Sequence, residues 1–385
     1  MSSQATNNID DTLNEILARR KEESTFRSLY ISDGLIDFCS NDYLSFARNE
    51  TIQKRTEQYS REMVHLFSGS TGSRCISGNT NIAEKLERQL AAFHNAEAAL
   101  LFNSGYDANV GLFSSIAREG DTIITDELIH ASIIDGCRLS RATKLVFTHN
   151  DLADLEKQLK LAKGNIFVGV ESVYSMDGDT PPLRKMVELC RKYNAYIIVD
   201  EAHATGVFGG HGRGVVNALG LENALFARVH TFGKALGCHG AAVVGSDILR
   251  SYLINFARSF IFTTALPVHS LFAIRSAYEE LMSDGFDNSA LHSLIQHFKN
   301  NFRGTGDITL IPSDSAVQSI VIPGSERARS TAEQLQKRGF DVRAIRSPSV
   351  PLGKERLRVN LHLHNTKKEI DDMLAAFGEV TGQKR

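Results

Sequence analysis

Through the middle of the chain, short unbroken apolar runs alternate with segments whose apolar residues return every three or four positions. Ala98–Phe102, Thr122–Thr125, Lys144–Phe147, Ile166–Val173 and Tyr196–Val199 have the first pattern, that of strands covered on both faces. Tyr106–Ala117, Ala131–Leu139, Asp151–Leu161 and Leu183–Tyr193, the last followed by Asn194, have the second, that of amphipathic helices. Ahead of them Asn81–His94 carries Ile82, Leu86, Leu90 and Phe93 on one helical face. After them come a β-type run at Arg228–Phe232, a helical pattern at Ser246–Phe260 and a long helical region from Pro267 to about Phe302. The alternation predicts an α/β fold: a large domain with a mostly parallel sheet covered by helices. Ligands of such sheets sit beyond the carboxyl ends of the strands.

The two ends of the chain read differently. Asp11–Glu23 is an amphipathic helix with Leu13, Ile16 and Leu17 on its apolar side, expected to pack on another lobe or subunit. Leu29–Ile31 and Leu35–Phe38 form a predicted hairpin about the Asp33-Gly34 turn. A helix is expected after Asn41-Asp-Tyr-Leu44, to about Leu66, and then a turn-rich stretch from Phe67 to Thr80. That stretch is equally a ligand wrap or a plain loop. Beyond Asp314 the predicted order is strand Ala316–Ile322, helix Ser325–Lys337, strands Asp341–Ile345 and Leu357–Leu363, and helix Lys367–Phe377. This is a smaller C-terminal α+β domain. The expected division is an N-terminal helical arm at 1–46, a large domain at 47–280 and the small domain at 281–385.

Composition narrows the class. A chain of 385 residues exceeds one simple core, and 42% hydrophobic with 23% charged residues is ordinary for a globular protein. A net charge of -2 makes no case for nucleic acid or an anionic membrane. No apolar run has the length of a membrane span, and Met1–Thr6 has neither the basic nor the apolar region of a signal peptide. The five cysteines are scattered without a C-x-x-C pair. A cytoplasmic, disulfide-free protein is expected.

Chemistry gathers at the strand ends. Asn103-Ser-Gly-Tyr-Asp-Ala108 is a glycine turn opening a helix, whose free N–H groups suit a phosphate. His130 follows the second strand, Ser175 lies in the turn Tyr174–Asp179, and Asp200 and His203 follow Tyr196–Val199. Lys234 stands between Gly233 and Ala235 just beyond Arg228–Phe232. Each alone has a plain reading: Asp200 as a helix cap, the histidines as structural, Ser175 as a turn residue, Lys234 as a solvated loop lysine. Together they match pyridoxal phosphate, which needs a lysine for its Schiff base, a carboxylate at its pyridine nitrogen and donors for its phosphate. Two other groupings carry no such case. His362 and His364 would share one side of a strand, facing solvent, without an acidic or cysteine partner, so no metal site is expected. Gly209–Gly214 lacks the lysine–hydroxyl ending of a phosphate loop and reads as a loop beside the site.

The order of motifs carries a resemblance over nearly the whole chain, from about Phe38 to His364. They include Ser40-Asn-Asp-Tyr-Leu44, Gly72-Ser-Arg74, Asn103-Ser-Gly-Tyr106, His130-Ala-Ser132, Tyr174-Ser-Met-Asp-Gly-Asp179, Val199-Asp-Glu-Ala-His203, Thr231-Phe-Gly-Lys234 and Arg346-Ser-Pro-Ser349. In these the chain resembles the α-oxoamine synthase family of fold-type-I pyridoxal phosphate enzymes. It departs at Ala83, where relatives often carry a histidine, and its N-terminal arm matches loosely. The resemblance implies an acyltransferase that condenses an amino acid with an acyl thioester and releases carbon dioxide. The expected substrates are L-alanine and a pimeloyl thioester of CoA or acyl-carrier protein, the alternative being glycine with acetyl-CoA. A cofactor-free interaction protein retaining the fold is the non-enzymatic alternative. By the same resemblance Lys234 bears the cofactor and moves the α-proton, and Asp200 meets the ring nitrogen. His203 bonds the phenolic oxygen with Ser175 near it, and His130 stacks on the ring and assists decarboxylation. Gly105 and Tyr106 lie along the cofactor and Thr231 holds its phosphate. Thr263 or Thr264 reaches the phosphate from the second subunit of a homodimer. Arg358 clamps the amino-acid carboxylate, and Arg27, Arg346 and Ser349 line the acyl-donor side.

Overall fold

The computed structural model describes residues 8–23, 25–63 and 69–382. Its centre is a seven-stranded sheet in the order Ala98–Phe102, Ala241–Gly245, Ala227–Thr231, Ala195–Asp200, Ile166–Glu171, Thr122–Asp126, Thr143–Phe147. The last five run parallel. Ala241–Gly245 is antiparallel to both of its neighbours. All five residues of Ala98–Phe102, Thr122–Asp126 and Ala227–Thr231 are buried, as two-sided cover requires.

Side-chain caps start the covering helices. Thr80, Ser104 and Asp151 accept N–H bonds at the heads of Asn81–Phe93, Gly105–Ile116 and Leu152–Leu161. Gly105–Ile116 and Ala131–Leu139 pack closely because Gly136 has no side chain, where a Cβ would come 2.8 Å from Phe113 Cβ. One face of the sheet packs through Leu112, Phe113, Ile133 and Leu253. Other apolar clusters form about Leu155, Met186 and Val187, and about Leu86, Leu90 and Ile274.

A second, antiparallel sheet has the order Arg343–Ile345, Arg356–Asn360, Val317–Val321, Thr309–Leu310. It is accompanied by helices Ser325–Lys337 and Lys367–Thr381, the latter opened by a Thr366–Glu369 capping box. Among the described residues no helix is long and apolar enough to cross a membrane.

Three expectations are corrected, and one strand was not expected. The hairpin about Asp33-Gly34 does not form: Leu29 and Ile31 are 103% and 87% exposed, and Ile36–Asp37 pairs in parallel with Phe340–Asp341. Its apolar alternation is answered by a strand three hundred residues away, which local sequence cannot announce. The long helical region is two helices, Val268–Leu281 and Ser289–Asn301, parted by a loop containing Gly285. Ser246–Phe260 likewise breaks at Ala257 into Asp247–Phe256 and Arg258–Ile261. The strand Ala241–Gly245 went unpredicted, because four small apolar residues between glycines give no periodicity to read. The helix after Leu44 spans Glu50–Arg61, and its predicted end at Leu66 lies outside the described residues. Helix Ile9–Glu22 has no buried residue.

Candidate active site

Lys234 stands at the tip of a connection between antiparallel strands, which the missed strand creates. Phe232 N–H donates to Gly240 O at 2.9 Å, Cys238 N–H to Phe232 O at 2.8 Å and Gly237 N–H to Lys234 O at 2.8 Å. Gly237 has φ 59°, and a Cβ there would lie 2.2 Å from Ala47 N, so only glycine fits. The turn aims the amine into a cleft of about 260 Å³ at the carboxyl ends of the strands. Lys234, Asp200, His130, Thr231, Gly105 and Tyr106 all line it, so the structure brings together these six predicted residues. Burial lowers the Lys234 amine to about 8, against the charge of Asp200, which favours its protonated form.

Asp200 is 4% exposed and fully engaged on its inner side. Its Oδ2 accepts from Asn109 Nδ2 at 2.7 Å and its Oδ1 from Ala202 N–H at 2.9 Å. Glu171 stands in register with it on the neighbouring strand and also lines the cleft. Burial, and then the charge of Asp200, hold the Glu171 carboxyl well above the usual carboxylate range. Two carboxylates on adjacent strands, about 5 Å apart, would repel by roughly 3 kcal/mol at an effective dielectric constant of 20. The pair therefore carries one charge, and it rests on Asp200.

His203 is buried, with Nδ1 2.7 Å from Tyr43 Oη. Burial, then the charges of Lys234 and Arg358, keep its imidazole neutral. Arg358 Nη2 donates to Asn41 Oδ1 at 2.9 Å and Tyr43 Oη at 3.4 Å, while its buried Nε has no partner. Thr231 Oγ1 is likewise buried and unpartnered. It lies at the head of helix Gly105–Ile116, where a Cβ on residue 105 would meet Thr231 Cγ2 at 2.3 Å. A helix start, an orphaned hydroxyl and a bare glycine make a phosphate cradle. With the Lys234 amine, the Asp200 carboxylate and the free Arg358 N–H, these residues fit pyridoxal phosphate and an amino-acid carboxylate.

The remaining predicted residues lie elsewhere. Ser175 is 9% exposed in the loop after Ile166–Glu171. That loop is tied to the C-terminal sheet by Ser319 Oγ donating to Met176 O at 2.6 Å and by an Arg356–Asp177 ion pair. His149 braces the same loop, its ring nitrogens each 2.9 Å from Asp126 and Asp179. Burial would lower His149, but these two carboxylates outweigh it and push it up to about 9. Thr263 and Thr264 bond Asn103 Nδ2 through Oγ1 and O, and line a separate shallow pocket with Ile76 and Phe262. Arg27 is exposed on the N-terminal segment. Arg346 and exposed Ser349 share a turn closed by Ser349 N–H to Arg346 O at 2.9 Å, with the Arg346 charge felt at Glu326.

His362 and His364 do not face solvent: His362 is fully buried, the rings stack at 4.6 Å, and the acidic neighbour missing from the local sequence is Asp37. Most of their polar atoms are engaged within the protein, His364 Nδ1 with Ser45 Oγ at 2.8 Å, while His364 Nε2 is buried without a hydrogen-bond partner. Asp37 accepts from Cys39 N–H, Ser40 N–H and Ser40 Oγ, and His362 bonds Asn365 Oδ1 and Ser40 O. Sequence reasoning also missed Asn41, Tyr43, Asn109, Ser132 and Glu171. Asn109 had a signal, a polar residue on the buried face of its helix; Asn41 and Tyr43 stood inside a motif without an assigned role.

The aminotransferase class I and II family model matches residues 33–377. An 8-amino-7-oxononanoate synthase of Emericella nidulans is 46% identical, covering 94% of each chain. A solved structure of SPT with PLP superposes with a TM-score of 0.89 at 28% identity, covering 98% of this chain and 100% of that one. The 8-amino-7-oxononanoate synthase of Francisella tularensis gives 0.77 at 29% identity, covering 91% and 98%.

Proposed function

The chain belongs to the aminotransferase class I and II family, and we propose that it is a pyridoxal phosphate-dependent acyltransferase joining L-alanine to a pimeloyl thioester. The products are 8-amino-7-oxononanoate, carbon dioxide and free CoA or acyl-carrier protein, as in biotin synthesis. The observation that carries this reading is the buried Lys234 amine, lowered to about 8, sharing one cleft with the Asp200 carboxylate.

Pyridoxal phosphate, when bound, supplies an electron sink for negative charge at the amino acid's α-carbon. Thr231, Ser104 and the N–H groups at the head of Gly105–Ile116 hold its phosphate, and Asp200 keeps its ring nitrogen protonated. Arg358 receives the alanine carboxylate through its free Nε–H and Nη groups, with Asn41 and Tyr43 fixing the guanidinium plane. Lys234 takes the α-proton; at pH 7 roughly one such amine in ten is already unprotonated. The α-carbon then bonds the thioester carbonyl carbon, the C–S bond breaks and the thiol leaves. The carboxylate departs as carbon dioxide, and Lys234 returns a proton to the same carbon. His203 stays neutral beside Tyr43 and offers a hydrogen bond without adding charge.

In this reading the arm at 1–46, the large domain at 47–280 and the small domain at 281–385 work as a cytoplasmic homodimer. Thr263 and Thr264 serve the second subunit's site, and Arg27, Arg346 and Ser349 meet the acyl donor. Holoenzyme incubated with L-alanine and pimeloyl-CoA, with product mass and released carbon dioxide measured, tests the assignment. Condensation of glycine with acetyl-CoA, and none of alanine with pimeloyl-CoA, would overturn it.

A further inference from the structure

Two buried side chains join the Asp200 carboxylate to the His130 imidazole. Asn109 Nδ2 donates to Asp200 Oδ2 at 2.7 Å and to Ser132 Oγ at 3.0 Å. Ser132 Oγ lies 2.7 Å from His130 Nδ1, and Ser132 backbone N–H donates to that same nitrogen at 3.2 Å. Asn109 and Ser132 are 2% and 0% exposed, so water does not compete for these bonds.

The direction of every bond is fixed. A carboxylate only accepts, so Asn109 presents its amide nitrogen to Asp200, leaving Asn109 Oδ1 buried without a partner. The same nitrogen fills an acceptor position on Ser132 Oγ, which leaves the hydroxyl hydrogen for His130 Nδ1. A backbone N–H cannot reverse its role, so Nδ1 is an acceptor twice over. The imidazole proton therefore sits on Nε2, which has no hydrogen-bond partner among the described residues, on a ring that lines the cleft. The charged groups around this ring are Asp200 and Lys234, with protonated Glu171 held through His130 backbone N–H. Burial, the largest influence, lowers His130 from its ordinary value and agrees with a neutral ring.

We propose that Asn109 and Ser132 are positioning residues that lock His130 as an Nε2–H donor, with Asp200 setting the polarity of the chain. One carboxylate thereby fixes both the ring nitrogen of the cofactor and the tautomer of the residue facing the reacting oxygens. His130 donates to an oxygen and leaves proton removal to Lys234. Which oxygen it meets, thioester carbonyl or departing carboxylate, rests on the condensation proposed above; the tautomer does not.

The direct test is ¹⁵N NMR of holoenzyme labelled at its 13 histidines, with the His130 signals identified by their loss in His130→Gln. A bare Nδ1 and a protonated Nε2 at neutral pH are expected. A proton on Nδ1, or an imidazolium, would overturn the inference. In Ser132→Ala the backbone donor stays and the hydroxyl donor goes. Its kcat should fall roughly tenfold with KM for the amino acid within about twofold. The acid limb of its kcat–pH profile should move to higher pH, because Nδ1 has lost a bond to its unprotonated form. An unchanged thermal midpoint separates this from unfolding, and an unmoved acid limb with unchanged kcat overturns the positioning role. A bare Nδ1 in a holoenzyme that makes another product supports this chain of bonds and overturns only the reaction.

Discussion

Replacing Glu171 by glutamine tests the claim that the cleft floor holds one charge and not two. Glutamine keeps the volume, the acceptor for His130 N–H and a donor in place of the acid's O–H. Glu171 is 2% exposed, and burial together with Asp200 holds its carboxyl above the ordinary 4.5. The folded chain thus keeps a proton that the unfolded chain releases above about pH 4.5. Glu171's contribution to wild-type stability falls as pH rises above that value, with a limiting slope of about 1.4 kcal/mol per pH unit. Glutamine has no proton to lose and escapes the slope. As pH rises above about 5 the Glu171→Gln protein should therefore gain on the wild type, at up to about 1.4 kcal/mol per pH unit. Urea unfolding followed by far-UV circular dichroism at pH 5, 6 and 7 measures the gap. Parallel stability curves, with a gap that does not change with pH, would mean that Glu171 ionises in the folded state and that the single-charge argument is wrong.

Three further outcomes follow from the site. Lys234→Ala should abolish turnover while the phosphate cradle at Thr231 and Gly105 still retains cofactor; turnover near the wild-type rate refutes the role of the amine. Arg358→Lys removes a planar, two-pronged clamp and should raise KM for the amino acid by roughly tenfold or more, with little loss of cofactor affinity. An unchanged KM in steady-state kinetics would take Arg358 out of substrate binding. His149, with a folded value near 9, contributes stability that is complete below its unfolded value of 6.5 and is lost as pH rises through 9. His149→Gln should be less stable by about 3 kcal/mol at pH 6, with the difference vanishing near pH 10. A gap that persists at pH 10 would show that packing, not charge, is what His149 provides.

The parallel strands and their helices were readable because buried runs and helical periodicity are local properties, and Lys234, Asp200, His130 and His203 of the candidate site stood at their ends. What was not readable was set by partners distant in sequence. Ile36–Asp37 looked like half of a hairpin until Phe340–Asp341 proved to be its neighbour. His362 looked solvent-facing because Ser40 and Asp37, which enclose it, lie some 320 residues away. Ala241–Gly245 escaped because only its position between two strands distinguishes it from a glycine-rich connection. Glu171 and Asn109 carried no motif of their own; what sets them apart is the Asp200 carboxylate beside each.

The pairing of Arg358 with Asn41 and Tyr43 has a bearing on how the molecule is made. The residues proposed to hold the cofactor within its own subunit, from Ser104 to Lys234, have all left the ribosome once residue 234 is clear of the exit tunnel. Arg358, proposed to grip the substrate, is synthesised more than a hundred residues later, long after its partners Asn41 and Tyr43. Synthesis thus delivers the residues proposed for the cofactor well before the one proposed to recognise the amino acid, and only the late arrival of Arg358 gives Asn41 and Tyr43 their partner.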